Sequence, residues 1–481
     1  MNAEPLSYIH MPHMGHSTEQ NARSLRRKTR PRSFNIQGEN MNNETTRELM
    51  DFIGASPSMF HSIENISRYL ENAGFTYLLE VHRWKLEKGG MYYTTRNRSS
   101  VIAFKIGDSI DESAYHFQIC ASHSDSPAYK VKNVAELEGK GEYLTLNVEA
   151  YGGMIDSSWF DRPLSIAGRV MIKEKDGSIL SKLLYIDKDI LLIPNVAIHF
   201  NREINDGYKY NRQVDLCPLF SSGALKKGDF DRMLAEELSV GEDAVLGKDI
   251  FLVNRQKPVI WGYKDEFVSA PKLDDLQCAF ASLKAFLDSS NRRTVSVYCC
   301  FDNEEVGSNT KQGAMSTFLR DVLERVNDGL GKSAEEYCRA VSGSFLVSCD
   351  NAHAVHPNHP EKTDAGNCAF MNGGVVLKES ANQKYTTDAL SRAVFSDICS
   401  RANVPVQSFA NRSDNAGGST LGNLSNIQVS VNAVDMGLAQ LAMHSSYETA
   451  GAQDTEYARK ALKEFYDTDI NIEDGKILLV R

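Results

Sequence analysis

The residues best placed to do chemistry are Glu304 and Glu305. They follow an apolar run, Thr294 to Phe301, and precede Val306-Gly307. Adjacent carboxylates at a strand end repel each other and are poorly solvated. They persist best where a cation lies against them or where one of them holds a proton. A metal site that sets a carboxylate ligand beside a carboxylate base meets both conditions. Alone, a Glu-Glu pair after a strand is more often a solvated turn, so company elsewhere must decide.

Four other segments share the construction of an apolar run that delivers a metal-ligating side chain. Ala114 to Ala121 leads into Ser122-His123-Ser124-Asp125-Ser126-Pro127, and Ser344 to Cys349 leads into Asp350. Gln428 to Val434 leads through Asp435-Met436-Gly437 towards His444. Asp274 and Asp275 open a segment with Leu276, Ala279, Phe280, Leu283 and Phe286 at helical spacing. In open α/β sheets ligands bind beyond the carboxyl ends of the strands. Histidines and carboxylates arriving there from separate segments form the pattern of a metal site assembled from the whole fold. A glycosidase is a poor alternative, because neighbouring residues do not set carboxyls about 5–9 Å apart across a sugar.

Long motifs in one order make these residues recognisable. They are Ala121-Ser-His-Ser-Asp-Ser-Pro127, Tyr151-Gly-Gly, Trp159-Phe-Asp-Arg-Pro-Leu164 and Leu273-Asp-Asp-Leu276. They continue with Asp302-Asn-Glu-Glu-Val-Gly-Ser308, Asp350-Asn-Ala-His-Ala-Val-His-Pro357 and Gln440-Leu-Ala-Met-His444. From Asn42 onward the chain resembles the aspartyl aminopeptidase family of dinuclear zinc exopeptidases. The resemblance implies an α/β zinc-peptidase domain, a mixed sheet flanked by helices, interrupted by a β-rich dimerisation domain. It also implies self-association into dimers and a dodecamer.

Length and texture agree. The 481 residues exceed the roughly 250–300 of a single core. The alternating run Leu144 to Glu149 and parts of Leu164 to Ile172 mark the middle as β-rich, with turns at Gly152-Gly153 and Asp176-Gly177. The expected division is a catalytic domain of residues 42–133 and 256–481 and an insert of residues 134–255. Residues 1–41 are basic and lack apolar periodicity, and are expected to be a disordered extension. Hydrophobic residues make up 42% and charged residues 24%, ordinary for a globular protein, and the net charge of −10 argues against nucleic acid as partner. No apolar stretch approaches the ~20 residues of a membrane span. Nine scattered cysteines without a Cys-x-x-Cys pair fit a reducing cytoplasm.

The resemblance assigns roles by motif position. Asp274 bridges two divalent ions, with His123 and Asp350 completing one site and Glu305 and His444 the other. Zinc suits these ligands, and cobalt or manganese would too. Asp125 is expected to accept the second N–H of the His123 imidazole. Glu304 is the free carboxylate, the general base that takes a proton from water and passes it to the leaving amine. The metals would also hold the substrate's free amino group, which makes the enzyme an exopeptidase acting on peptides. His199 matches a histidine that the β domain lends to a neighbouring subunit's active site; without the family it reads as a packed residue on an apolar strand. Lys378 matches a lysine of the pocket for an acidic P1 side chain. His353, His356 and His359 lack metal-ligand spacing and are expected around the site or at a subunit contact.

Two departures from the family pattern bear on function. Asp275 stands where relatives commonly carry Asn, which adds a carboxylate near the metals. Arg412 to Thr420 differs around its glycines, which bears on substrate preference. The alternatives are an aminopeptidase of broad or hydrophobic preference, with every ligand kept, and a non-catalytic shell or cargo protein. Retention of Glu304 argues against the latter.

Overall fold

In a computed structural model of the protein, residues 44–110, 115–415, 417–473 and 475–480 are described. The expected extension of residues 1–41 lies outside them. A nine-stranded mixed sheet organises the chain. Its centre is four parallel strands: Val295–Phe301, Phe117–His123, Phe345–Cys349 and Asn432–Gly437. Ser100–Ile106 runs antiparallel beside Val295–Phe301, and Val375–Glu379 antiparallel beside Asn432–Gly437.

These central strands are apolar on both faces because both faces are covered, as parallel strands require. Along Phe117–His123, residues Phe117, Ile119 and Ala121 enter one core with Val297, Phe301 and Phe318. Cys120 faces the other core with Phe280, Phe286, Phe345 and Phe465. The helices Leu273–Asp288 and Asp454–Asp467 supply that second core, and Phe318–Gly329 the first. The cysteines in these runs are small core residues, and every cysteine is unpaired. At the amino end, Glu44–Gly54 and Met59–Asn72 form the amphipathic helices that their spacing predicts.

A six-stranded antiparallel sheet carries the middle of the chain. Its strands are Ala128–Glu138, Tyr143–Tyr151, Leu164–Lys173, Ile179–Tyr185, Leu219–Ser222 and Val245–Asn254. Leu146, Val148, Leu164, Ile166 and Phe230 give it a separate core. A third sheet of five strands includes Phe267–Ala270, Glu448–Gly451 and Ala439–Leu441, which flank the segments bearing Asp274 and His444.

Two glycines allow close approach at the ends of these strands. A Cβ on Gly437 would lie 2.0 Å from the Asp350 carbonyl oxygen, so only glycine lets this strand pass the Asp350 segment. Gly152 has φ +79° and a Cβ there would sit 3.2 Å from Glu305 Cβ. The Tyr151-Gly-Gly motif therefore serves close packing of the β insert against the acidic pair. Among the described residues, no helix is long and apolar enough to cross a membrane.

Candidate metal centre

The parallel register brings the reactive residues together. Phe301 pairs with His123 in the sheet, so Glu304 and Glu305, in the short turn Glu304–Val306, emerge beside that imidazole. Asp350 follows Cys349 on the next strand, and Cys349 pairs with Met436 of the strand after it. His444 lies beyond Asn432–Gly437, at φ 67°. Non-glycine residues with such backbones cluster at functional sites. Asp274 and Asp275 lie at the start of Leu273–Asp288, joined by a cis peptide and both outside helical dihedrals.

One ligand atom from each of His123, Asp274, Asp275 and Asp350 lies within 4.8 Å of the others. The same holds for His123, Glu304 and Glu305, and for Asp274, Glu305 and His444. The two oxygens of Asp274 face different imidazoles. Oδ1 is 3.5 Å from His123 Nε2, and Oδ2 is 3.3 Å from His444 Nε2. His444 Nε2 is also 3.3 Å from Glu305 Oε2. Asp274 Oδ1, Asp275 Oδ1 and Glu305 Oε1 are buried without a hydrogen-bond partner. Unsatisfied buried carboxylate oxygens are costly, and cation coordination is a way to satisfy them. This donor set, imidazole nitrogens and carboxylate oxygens around a shared carboxylate, fits a pair of divalent ions.

The electrostatics point the same way. Burial pushes Glu304 up to about 8, with the charges of Asp350, Asp125 and Asp274 adding to the effect. Burial and the neighbouring Asp274 hold Glu305 well above the usual glutamate range. Burial also raises Asp275, and Asp350 and Asp274 raise it further. Asp274 departs from them: burial opposes its charge, yet the two imidazoles hold it below the ordinary carboxylate range.

Asp125 lies against the His123 imidazole through both its main chain and its carboxylate. The His123 Nδ1 meets the main-chain carbonyl of Asp125 at 3.0 Å, while the Asp125 carboxylate is 3.5 Å away. That carboxylate also accepts the backbone N–H groups of Glu304 at 3.1 Å and Glu305 at 3.2 Å, and the Tyr151 hydroxyl at 2.7 Å. It clamps the turn that carries the acidic pair. Tyr151 in turn accepts from Asn303 Nδ2 at 2.8 Å.

Lys378 is 2% exposed, on the strand Val375–Glu379. Its ammonium donates to the Asp350 carbonyl at 2.8 Å and the Asn351 carbonyl at 3.4 Å, and lies 3.6 Å from the Asp350 carboxylate. Burial opposes its charge, but Asp350 together with Tyr385, Asp435 and Cys278 outweighs burial and holds it well above the ordinary lysine range. His199 is exposed, in a turn of the β insert, not packed on a strand. His356 and His359 lie with ring centroids 5.1 Å apart at a tilt of 39°, and His353 packs 6.1 Å from Phe409. None of these three belongs to a metal-ligating group among the described residues.

Sequence reasoning missed Glu448. It is 1% exposed and accepts the backbone N–H of Asp274 at 3.0 Å and of His444 at 2.7 Å, so one carboxylate ties two ligand-bearing segments together. The available signal was an acid four residues after His444, inside a segment that then continues as Thr-Ala-Gly-Ala.

Known proteins place this geometry. Residues 52–466 match the family described as aminopeptidase I zinc metalloprotease, M18. The probable M18 family aminopeptidase 2 of Clostridium novyi is 44% identical over 427 residues, covering 87% of this chain and 98% of that protein. Among solved structures, a chain of the Ape4 and Nbr1 complex superposes with a TM-score of 0.86 at 34% identity, over 89% of this chain and 87% of that one. The mApe1 dodecamer of S. cerevisiae gives 0.77 at 26% identity, over 88% and 96%. The chain belongs to the M18 family of zinc aminopeptidases.

Proposed function

We propose that this aminopeptidase removes N-terminal residues from peptides with two divalent cations per chain and Glu304 as general base. The observation that carries the reading is the pair of ligand groups sharing Asp274, with unsatisfied buried oxygens on Asp274 and Glu305. His123 and Asp350 would hold one cation and Glu305 and His444 the other, with Asp274 available to both. Bound there, zinc, or cobalt or manganese in its place, would polarise the scissile carbonyl and acidify water. Glu304 takes the proton of the attacking water and returns it to the leaving amine. Asp125 and Tyr151 orient Glu304 through the clamped turn.

The β insert, with the expected bounds 134–255, serves as the dimerisation domain and lends His199 to the partner subunit's site as an oxyanion donor. Support comes from the exposure of His199 among Val196, Ile198 and Phe200, which are 53%, 48% and 87% exposed. Apolar residues so exposed on one loop mark a contact surface. Assembly to a dodecamer follows the mApe1 relative. The free cysteines suit work in the cytoplasm.

The family resemblance adds a preference for acidic P1 residues, read by Lys378. A second reading, a broad or hydrophobic preference, is favoured by the ammonium's engagement with three oxygens of Asp350 and Asn351. In that reading Lys378 positions Asp350.

Three measurements follow. Glu304→Gln keeps size and removes the base, so kcat should fall by ~10²–10⁴ with metal content unchanged. A wild-type rate at full metal content would refute the base. Mixing His199→Ala subunits with Glu304→Gln subunits should restore activity in mixed oligomers, since one site can then hold both groups. Absence of rescue in oligomers shown to be mixed would place His199 outside the neighbouring site. Lys378→Met separates the two specificity readings. An acidic-pocket role predicts a loss in kcat/KM of about 1.5–3 kcal/mol for N-terminal Asp and Glu and little change for Leu. A positioning role predicts equal losses for all substrates, with stability lowered by about 3–5 kcal/mol as the Asp350 charge loses its partner.

A further inference from the structure

Asp275 differs from the other carboxylates of the centre in having no assigned duty that uses its charge. It is fully buried. Its Oδ2 accepts the backbone N–H of His123 at 3.1 Å; among the described residues its Oδ1 has no oxygen or nitrogen donor, and the only other groups that favour its charge are the Cys278 thiol and the His123 imidazole. Among the described residues no lysine, arginine or histidine forms an ion pair with it, whereas Asp350 has Lys378 and Asp274 has both imidazoles. A ligand atom of Asp275 nevertheless lies within 4.8 Å of those of His123, Asp274 and Asp350. An asparagine would accept the same N–H through its amide oxygen and occupy nearly the same volume. The hydrogen bond therefore does not explain a buried negative charge, which is costly unless a cation lies close.

We propose that Asp275 is the affinity-setting carboxylate of the His123–Asp274–Asp350 cation site, making that site the tighter of the two. Resting on the two-cation reading above, this gives one site an imidazole and three carboxylates. The Glu305–His444 site has an imidazole and two. At short range in a low-dielectric interior, one added negative charge strengthens attraction for a divalent ion, and oxygen-rich surroundings favour the harder ions.

The test uses Asp275→Asn in the full chain, as purified and after chelation, titrated with Zn²⁺ and with Mn²⁺ against a competing chromophoric chelator. The wild type should bind in two steps, tight then weak. In Asp275→Asn the tight step should weaken 10–100-fold, the range seen when groups supporting a metal site are removed, while the weak step and the saturating stoichiometry stay as they were. His444→Ala should abolish the weak step alone, which assigns the steps to sites. Thermal melts give an independent readout. Chelated Asp275→Asn should melt no lower than the chelated wild type, because a carboxyl crowded by Asp274 and Asp350 is replaced by a neutral amide of nearly the same volume, and should gain less from added metal. Unchanged affinities in the variant would overturn the proposal, as would a chelated variant that is less stable or fails to fold, since either assigns Asp275 to structure. A wild type that binds no divalent ion would instead overturn the two-cation reading itself.

Discussion

Burial of like charge is the constraint on which the rest of this structure depends. Asp274, Asp275, Glu305 and Asp350 converge at the carboxyl ends of parallel strands, with ligand atoms within 4.8 Å of one another inside each group. Among the described residues, the basic groups set against these carboxylates are two imidazoles and Lys378, and Lys378 serves Asp350. The raised proton affinities of Glu304, Glu305 and Asp275 express the shortfall. A fold whose net stability is only about 5–15 kcal/mol does not keep such a cluster without compensation. The divalent metal of a zinc metalloprotease family is a compensation of the right charge.

Much of the surrounding architecture holds this cluster in register. Parallel pairing places His123 beside Phe301 and hence beside the acidic turn. Asp125 fixes that turn by its backbone N–H groups, and Glu448 does the same for the Asp274 and His444 segments. These carboxylates act on backbone atoms, so they position ligands without competing for the ions. Gly437 and Gly152 remove the side chains that would push Asp350 and Glu305 away. Precision of this kind is what a site needs when small misplacements are costly to the rate.

The sequence made the ligand-bearing strands legible because doubly covered parallel strands read as continuous apolar runs ending at functional residues. Thr294 to Phe301 and Ser344 to Cys349 match the strands Val295–Phe301 and Phe345–Cys349 closely. The run Gln428 to Val434 was less exact. Its first residues form a turn and the strand is Asn432–Gly437, because the polar Asp435 is buried within it, accepting from Thr386 and Thr420. Spacing puts Asp125 near His123 but does not reveal that its main-chain carbonyl shares the imidazole nitrogen with its carboxylate. Lys378 reads as a solvated or substrate-facing cation, since a linear sequence does not reveal that Asp350 lies across from it. Glu448 and the reach of Tyr151 to Asp125 were hidden for the same reason, as contacts between segments far apart in the chain.

The account's central claim is that the buried carboxylates exist to hold two divalent ions. Metal analysis of active protein purified without chelator tests it most directly. Two ions per chain are predicted, falling to one in His444→Ala, which removes a ligand of one site alone. A fully active wild type holding a single ion per chain would contradict the account.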